Sequence, residues 1–343
     1  MAKKVILADM HTHLNEKKIK PKDWWNAVLE KKLSIIAITE HAEYKPETAY
    51  RKLKAIQPKE IILIPGMEAK TSAGHLLIYG KNDEIYKLKK LQKINVKIED
   101  ALKIIKENNL TASFAHPYGY KTDSTCLVIG EKKTKKLLKK FHTGTEYYNG
   151  MLGSANGLMF GSVWVKRFYT LFNFLDSNRA TRILTLNKST KIKTQLEQLA
   201  IETLNRVRKA MTFSQNADFI TVGSDAHYPH TIGSSVIQLK NKPKNEEEFL
   251  EKIRKKEIIG AGPNVYLKEP IEHLPRKELL EGLKYMTQKQ IQKKINTKKL
   301  RKTITKKIIK QVKPKINGKT IKNLAKKLPG RKIVIKLKKK VLS

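Results

Sequence analysis

Six short apolar runs, each bounded by a histidine or a carboxylate, constrain this chain more than any other feature. VILAD precedes His11 and His13, IIAIT precedes Glu40 and His41, and IILIPGM precedes Glu68. HLLIYG opens at His75, TASFA precedes His116, and FITVGS precedes Asp225 and His227. Apolar runs of this length read as strands buried on both faces. Between them lie segments of helical period: PKDWWNAVLEKKL, ETAYRKLKAI and KIEDALKIIKENN. Pro21 and Asp23 suit a helix start, and Trp24, Val28 and Leu29 are expected on one buried face. EIILIPG is expected to stop at its Pro-Gly pair. Alternating strands and helices predict an α/β fold around a parallel sheet or barrel. In such folds the carboxyl ends of the strands converge on one face, where sites are built.

Residues i and i+2 of a strand share a face, so His11 and His13 emerge together. Six of the nine histidines stand at strand mouths. Taken singly, each has an ordinary explanation: His75 or His116 as a hydrogen-bonded core histidine, Glu68 as a turn carboxylate, Asp225 as a helix cap. As an ordered series they form a metal-ligand set. Imidazole nitrogens with carboxylate oxygens suit borderline divalent cations, and one bridging carboxylate lets two cations sit close together. Six histidines with Glu68 and Asp225 exceed what one ion can use, which points to two or three. His142 and His273 read as surface residues, and His230 has no assignment.

The chain of 343 residues carries a net charge of +41. Such a chain attracts polyanions, nucleic acid among them, although a lysine-rich composition also arises by codon bias alone. From Ile271 onward there are 25 Lys and Arg against three Glu, so about half of the excess charge lies in that tail. The single cysteine, Cys126, excludes an intrachain disulfide and fits a reducing, cytoplasmic setting. The opening MAKKVILADM lacks a signal-peptide core. We divide the chain into a first barrel part at 1–150, an inserted lid or capping segment at 151–214, a last barrel part at 215–269, and a Lys-rich helical or disordered tail at 270–343. The apolar portion of the insert is interrupted by Lys166 and Arg167, which favours a lid over a membrane helix and leaves peripheral membrane contact open.

The order H-x-H, T-E-H, P-G-M-E, G-H-L-L, A-H-P, G-S-D-A-H resembles the PHP superfamily, named for polymerase and histidinol phosphatase, in its stand-alone phosphoesterases. The resemblance covers about Val5 to Tyr266 and implies a distorted (β/α) barrel of about seven strands with two or three manganese, iron or zinc ions. It implies that His11 and His13 hold one ion with Glu68 and Asp225. Glu68 would then bridge to a second ion held by His75 and His116, with His41 and His227 on a third. The pattern places an acid at the position of Lys18, where this sequence departs from it; Glu16 is the nearest substitute.

These features lead to an expectation of phosphoester hydrolysis by a water acidified between ions, with a nucleotide or oligonucleotide as substrate. His227 or His41 would protonate the leaving group, and Arg179 and Arg182 of the insert would clamp a phosphate. Two other classes stand beside it. An amidohydrolase barrel also begins with H-x-H but uses a bridging lysine where Glu68 stands. A non-catalytic scaffold with an RNA-binding arm would be expected to lose its ligands, and this chain keeps nearly all of them.

Overall fold

The computed structural model describes residues 5–153, Thr170 and residues 188–266, with little beyond backbone for 188–200. The chain divides into two units, Met1–His273 and Leu274–Ser343. The second unit, the apolar part of the insert, Arg179 and Arg182 lie outside the described residues.

Nine strands are described: β1 (Ile6–Asp9), β2 (Ile35–Ile38), β3 (Ile62–Thr71), β4 (Gly74–Tyr79), β5 (Thr111–Phe114), β6 (Gly144–Asn149), β7 (Ile220–Gly223), β8 (Ser235–Leu239) and β9 (Gly260–Pro263). They form one sheet in the order β7-β6-β5-β4-β3-β2-β1-β8-β9. The first seven nearly close into a barrel, because the end of β1 bonds to the end of β7: Met10 N–H donates to Val222 O at 3.1 Å and His13 N–H to Ala226 O at 2.9 Å. β8 and β9 extend the sheet from β1 in antiparallel pairing.

Strand residues alternate between two apolar clusters. Ile6, Ala8, Ile35, Ala37, Ile62 and Ile64 belong to one, while Leu7, Ile36, Ile38 and Leu63 belong to the other. Both faces of these strands are buried, which is why they read as continuous apolar runs.

Two details depart from the sequence reading. β3 does not stop at Pro65-Gly66 but continues to Thr71. Up to Pro65 it pairs in parallel with β2, and from Gly66 onward antiparallel with β4. Proline lacks an N–H for the ladder, so the pair marks a change of partner. A Cβ on Gly66 would lie 2.8 Å from Ile78 O, so the close approach there needs glycine. The sheet is also mixed: the two residues between β3 and β4 allow only an antiparallel hairpin.

Helices α1 (Pro21–Glu30), α2 (Pro46–Lys54), α3 (Ile98–Glu107), α4 (Thr125–Val128), α5 (Glu131–Phe141), α6 (Lys188–Phe213) and α7 (Glu246–Arg254) complete the described unit. Pro21 and Pro46 start their helices in the first turn, where the missing N–H does no harm. In α1 the buried stripe runs through Trp24, Trp25 and Val28, and Leu29 is 45% exposed instead of sharing that face. The Trp25 indole N–H accounts for the difference, since it reaches Leu53 O of α2 at 3.0 Å. The polar stretch of the insert is helix α6, whose last turns bury Val207, Ala210 and Phe213. Among the described residues, no helix is long and apolar enough to cross a membrane.

Where β7 passes β1, a Cβ on Gly223 would lie 2.2 Å from His11 Cβ. Gly223→Ala is expected to lower the unfolding free energy by about 1–3 kcal/mol, read as a lower urea midpoint with an unchanged slope. An unchanged midpoint would mean that the two strands separate freely.

Candidate metal centre

Asp9, the last residue of β1, is fully buried. Its Oδ1 accepts from His11 N–H at 3.2 Å and Ser224 N–H at 2.9 Å. Its Oδ2 accepts from the Ser224 hydroxyl at 2.6 Å and Gly233 N–H at 2.8 Å. One carboxylate thus fastens the H-x-H segment to the segment carrying Asp225 and His227. Burial pushes its pKa up to about 6, against the Ser224, Gly233 and His11 donors that pull it down.

Beyond this clasp, the eight residues singled out in the sequence lie in one cluster at the strand ends. Glu68, carried inward by the continuation of β3, is its centre and is 1% exposed. Its Oε1 lies 2.6 Å from His75 Nδ1 and 3.1 Å from His116 Nε2. Its Oε2 lies 3.2 Å from His11 Nε2, 3.4 Å from His13 Nε2 and 3.1 Å from His41 Nδ1. Each oxygen therefore faces a different imidazole group, the arrangement a bridging carboxylate requires. Asp225 Oδ1 sits 3.5 Å from His11 Nε2, 3.3 Å from His13 Nε2 and 3.6 Å from His227 Nδ1.

Lys18, at the position where an acid was expected, is exposed and occupies the left-handed region at φ 53°. Glu16 fills the role geometrically: its Oε2 is 2.9 Å from His227 Nε2 and 3.5 Å from His41 Nε2. His13, Glu16, His41 and His227 each offer a ligand atom within 4.8 Å of the others. His41 faces both ways, Nδ1 toward Glu68 and Nε2 toward Glu16. Of the other histidines, exposed His142 pairs with Asp218 at 2.7 Å, His230 stacks near Tyr228, and His273 lies outside the described residues.

The site also contains residues beyond those eight, of which the sequence reading notes only Glu40. Glu146 of β6, 1% exposed, places Oε1 3.0 Å from His11 Nδ1, and its Oε2 accepts from His116 N–H at 2.7 Å. Asn149 donates to both Glu146 and Asp225. Glu40 accepts from the amides of Leu14 and Asn15 and lies 3.6 Å from His13 Nδ1. Ser124 Oγ is 3.3 Å from His116 Nδ1. Such partners fix imidazole orientation and leave the other nitrogen to ligate. His116 and Asp225 hold positive φ, 29° and 54°. Left-handed backbone outside glycine costs of order 1–3 kcal/mol and persists where packing enforces it.

Whether these side chains suit cations can be tested on their own chemistry. Both ring nitrogens of His13 and Nε2 of His75 are buried without a hydrogen bond. Leaving such groups unsatisfied costs about 1–3 kcal/mol each. Carboxylate oxygens stand 3.3–3.4 Å from His13 Nε2, about the separation of neighbouring ligands on one ion with bonds near 2.1 Å. The donor set fits divalent metal binding.

The charges support the same conclusion. Against burial, Asp225, Glu40 and Glu68 hold His13 up at about 10. Against burial too, Asp225, Glu146 and Glu68 raise His11 well above the usual range. Despite its own burial, Glu68 is held well below the carboxylate range by His41, His75 and His11. Burial, with His13, His75 and His227 nearby, pushes His41 down to about 4, so it stays neutral and ready to ligate. Against burial, His227 and Lys17 hold Glu16 at about 2.

Residues 207–258 match the PHP-associated family model. No curated protein matches the chain. Among solved structures, PsfC from Pseudomonas syringae is similar with a TM-score of 0.46 and 12% identity, over 72% of this chain and 88% of that one. A two-domain protein from Bacteroides vulgatus containing a predicted PHP-like metal-dependent phosphoesterase gives 0.42 and 16%, over 74% of this chain and 64% of its own. The lesion-specific endonuclease PfuEndoQ from Pyrococcus furiosus gives 0.43 and 12%, over 74% and 56%. The chain thus spans less than two thirds of the length of the last two.

Metal uptake by the chelator-treated chain is expected to release protons at pH 7, because His11, His13 and His116 have raised pKa values and must lose protons to ligate. Affinity then rises with pH. Manganese titration calorimetry in buffers of different ionisation enthalpy checks the sign, and proton uptake would contradict it. Glu146→Gln is expected to weaken metal binding about 10–100-fold, measured in the same titration.

Proposed function

We propose that the chain, whose residues 207–258 match the PHP-associated family model, is a metal-dependent phosphoesterase whose centre is built on Glu68. The observation that carries this reading is that the two Glu68 oxygens face two imidazole groups, His75 with His116 and His11 with His13 and His41. Manganese, iron or zinc ions held there supply an acidified water and neutralise charge on the phosphoryl oxygens.

The chain's own part is orientation and proton placement. His11 and His13, with Asp225 and Glu68, form one ligand set; Glu68 with His75 and His116 forms a second; His41 and His227 with Glu16 form a third. Glu146 holds the far nitrogen of His11, so that Nε2 faces the site. His227 directs Nδ1 to the Asp225 carbonyl at 2.9 Å, which turns its Nε2 outward toward Glu16. With side chains 12% and 16% exposed, His227 and His41 are the imidazoles most accessible to a leaving group; His227 gives it a proton when no cation engages it, and His41, held neutral, serves as a ligand.

A net charge of +41 favours a polyanionic substrate, a nucleotide or oligonucleotide, with the tail from residue 270 adding affinity that falls with salt. The buried single Cys126 suits a reducing cytoplasm. The retained ligand set separates this reading from a scaffold, and a glutamate at the bridge separates it from a lysine-bridged amidohydrolase.

With manganese added, the wild-type chain is expected to hydrolyse at least one of bis(p-nitrophenyl) phosphate, p-nitrophenyl phosphate and a 5′-phosphorylated oligonucleotide. His11→Ala and Glu68→Ala are expected to lower that rate about a thousandfold. A metal-loaded wild-type chain that cleaves none of the three would sink the assignment.

A further inference from the structure

The three ligand sets are not anchored alike. Buried carboxylates brace the first two: Asp9 ties the H-x-H segment to the Asp225 turn, and Glu146 reaches both His11 Nδ1 and His116 N–H. The third set stands at the open side of the cluster. Glu16, His41 and His227 have side chains 17%, 16% and 12% exposed, and they come from three separate loops. His227 is steered by its own Nδ1, which lies 2.9 Å from Asp225 O. A different group holds Glu16 beside His41, and that group is the side chain of Asn15.

Residues 15–18 form a tight turn: Lys18 N–H donates to Asn15 O at 3.0 Å, and Ile19 N–H donates to Leu14 O at 3.0 Å. Glu16 occupies the first corner of that turn, so its direction follows the orientation of the turn as a whole. After His41 the chain makes a single 3-10 turn, Ala42–Tyr44, in which Tyr44 N–H donates to His41 O at 2.9 Å. The Asn15 amide joins the two turns, donating to Tyr44 O at 2.9 Å and to Lys45 O at 3.2 Å. Its oxygen accepts from Lys52 Nζ at 3.0 Å, so all three contacts agree on one orientation of the amide. The backbone N–H of Asn15 donates to Glu40, which also accepts from Leu14 and His41. Glu40 thus fixes where the turn begins, and the Asn15 amide fixes which way it faces. In that orientation Glu16 Oε2 lies 2.9 Å from His227 Nε2 and 3.5 Å from His41 Nε2, while Lys17 Nζ takes Oε1 at 3.1 Å.

We propose that Asn15 is a positioning residue for the third ligand set: by bonding the turn at 15–18 to the turn at 42–44, it holds Glu16 and His41 together for a divalent cation. The inference rests on the ligand sets assigned above and not on the reaction carried out there. It accounts for a glutamate serving two positions before Lys18. A carboxylate on an exposed loop must lose conformational freedom to ligate, and the amide bonds have already removed that freedom. The third ion is also the most exchangeable of the set, because its ligands are placed by hydrogen bonds open to water, whereas Asp9 and Glu146 are buried.

The test counts manganese on the full, chelator-treated chain by equilibrium dialysis, with Glu16→Ala marking which dissociation constant belongs to the third set. Asn15→Ala is expected to weaken that constant about tenfold, the effect of losing two neutral hydrogen bonds, and to leave the other ions bound as in wild type. Asn15→Asp separates position from charge. The aspartate has the same shape and adds a negative charge beside the site, which by its field alone tightens a cation, yet it cannot donate to the Tyr44 and Lys45 carbonyls. It is expected to bind the third ion more weakly than wild type does.

Tighter third-ion binding in Asn15→Asp would assign the effect to charge and overturn the proposal. Equal weakening of all ions in Asn15→Ala would reduce Asn15 to general support of the fold, and an unchanged third constant would remove its role altogether. A wild-type chain that takes up only two ions overturns it too, since Glu16 is then not a ligand. If the chain binds the third ion through Asn15 but hydrolyses no phosphoester, the phosphoesterase reading fails and the positioning role stands.

Discussion

The Asp9 carboxylate joins the beginning and the end of the described barrel, and the centre depends on that junction. It accepts from His11, Ser224 and Gly233, so one buried side chain sets the distance between the H-x-H turn and the turn that carries Asp225 and His227. Hydrogen bonds to a buried charge are among the stronger ones in a fold, and an unfilled acceptor there is costly. Gly223 makes the approach sterically feasible, and Asp9 makes it favourable. The ligand geometry is therefore a property of how the barrel closes as much as of the ligands themselves.

The cluster that results is a dense set of opposite charges. Glu68, Asp225, Glu146, Glu40 and Glu16 surround six imidazoles, with the interior members removed from water. Burial alone would neutralise such carboxylates, and the neighbouring imidazoles outweigh it for Glu68, Asp225 and Glu16. An apolar repacking would suit stability as well or better, so the retention of these groups is a functional signature. The fold accepts further strain at the same place, in the positive φ of His116 and Asp225.

Much of this was legible in the sequence because the strands are buried on both faces and end in ligands. The period-2 spacing of His11 and His13, and the apolar runs before His41, Glu68, His116 and Asp225, needed only alternation and strand length to be read. β6 was illegible for the opposite reason: GTEYYN carries no aliphatic run, although Thr145 and Glu146 are buried through polar contacts. Its supporting glutamate was missed with it. A signal did exist, since a parallel barrel needs a strand between TASF and FITVG, and TGTEYYN is one of the stretches there with β-branched and aromatic residues. β8, SVIQL, leads to no ligand side chain, and GAGP of β9 has no pattern to read. The Pro-Gly pair in β3 misled because a breaker in a strand also serves as the point where the strand changes neighbours. Glu16 and Lys18 differ by two positions, and only the loop's left-handed turn decides which of them reaches the histidines.

The candidate ligands are drawn from six of the nine described strands, from His11 near the start to His227 late in the described chain. No single supersecondary unit contains a complete set: the H-x-H turn lacks Glu68, the β3–β4 hairpin lacks His116, and Asp225 arrives last. During synthesis, then, the ribosome must release β7 before the first pair of histidines can join Asp225 as well as Glu68. A complete first ligand set is in this sense a record that translation has passed β7, and a chain shortened before that strand would leave the early histidines without Asp225.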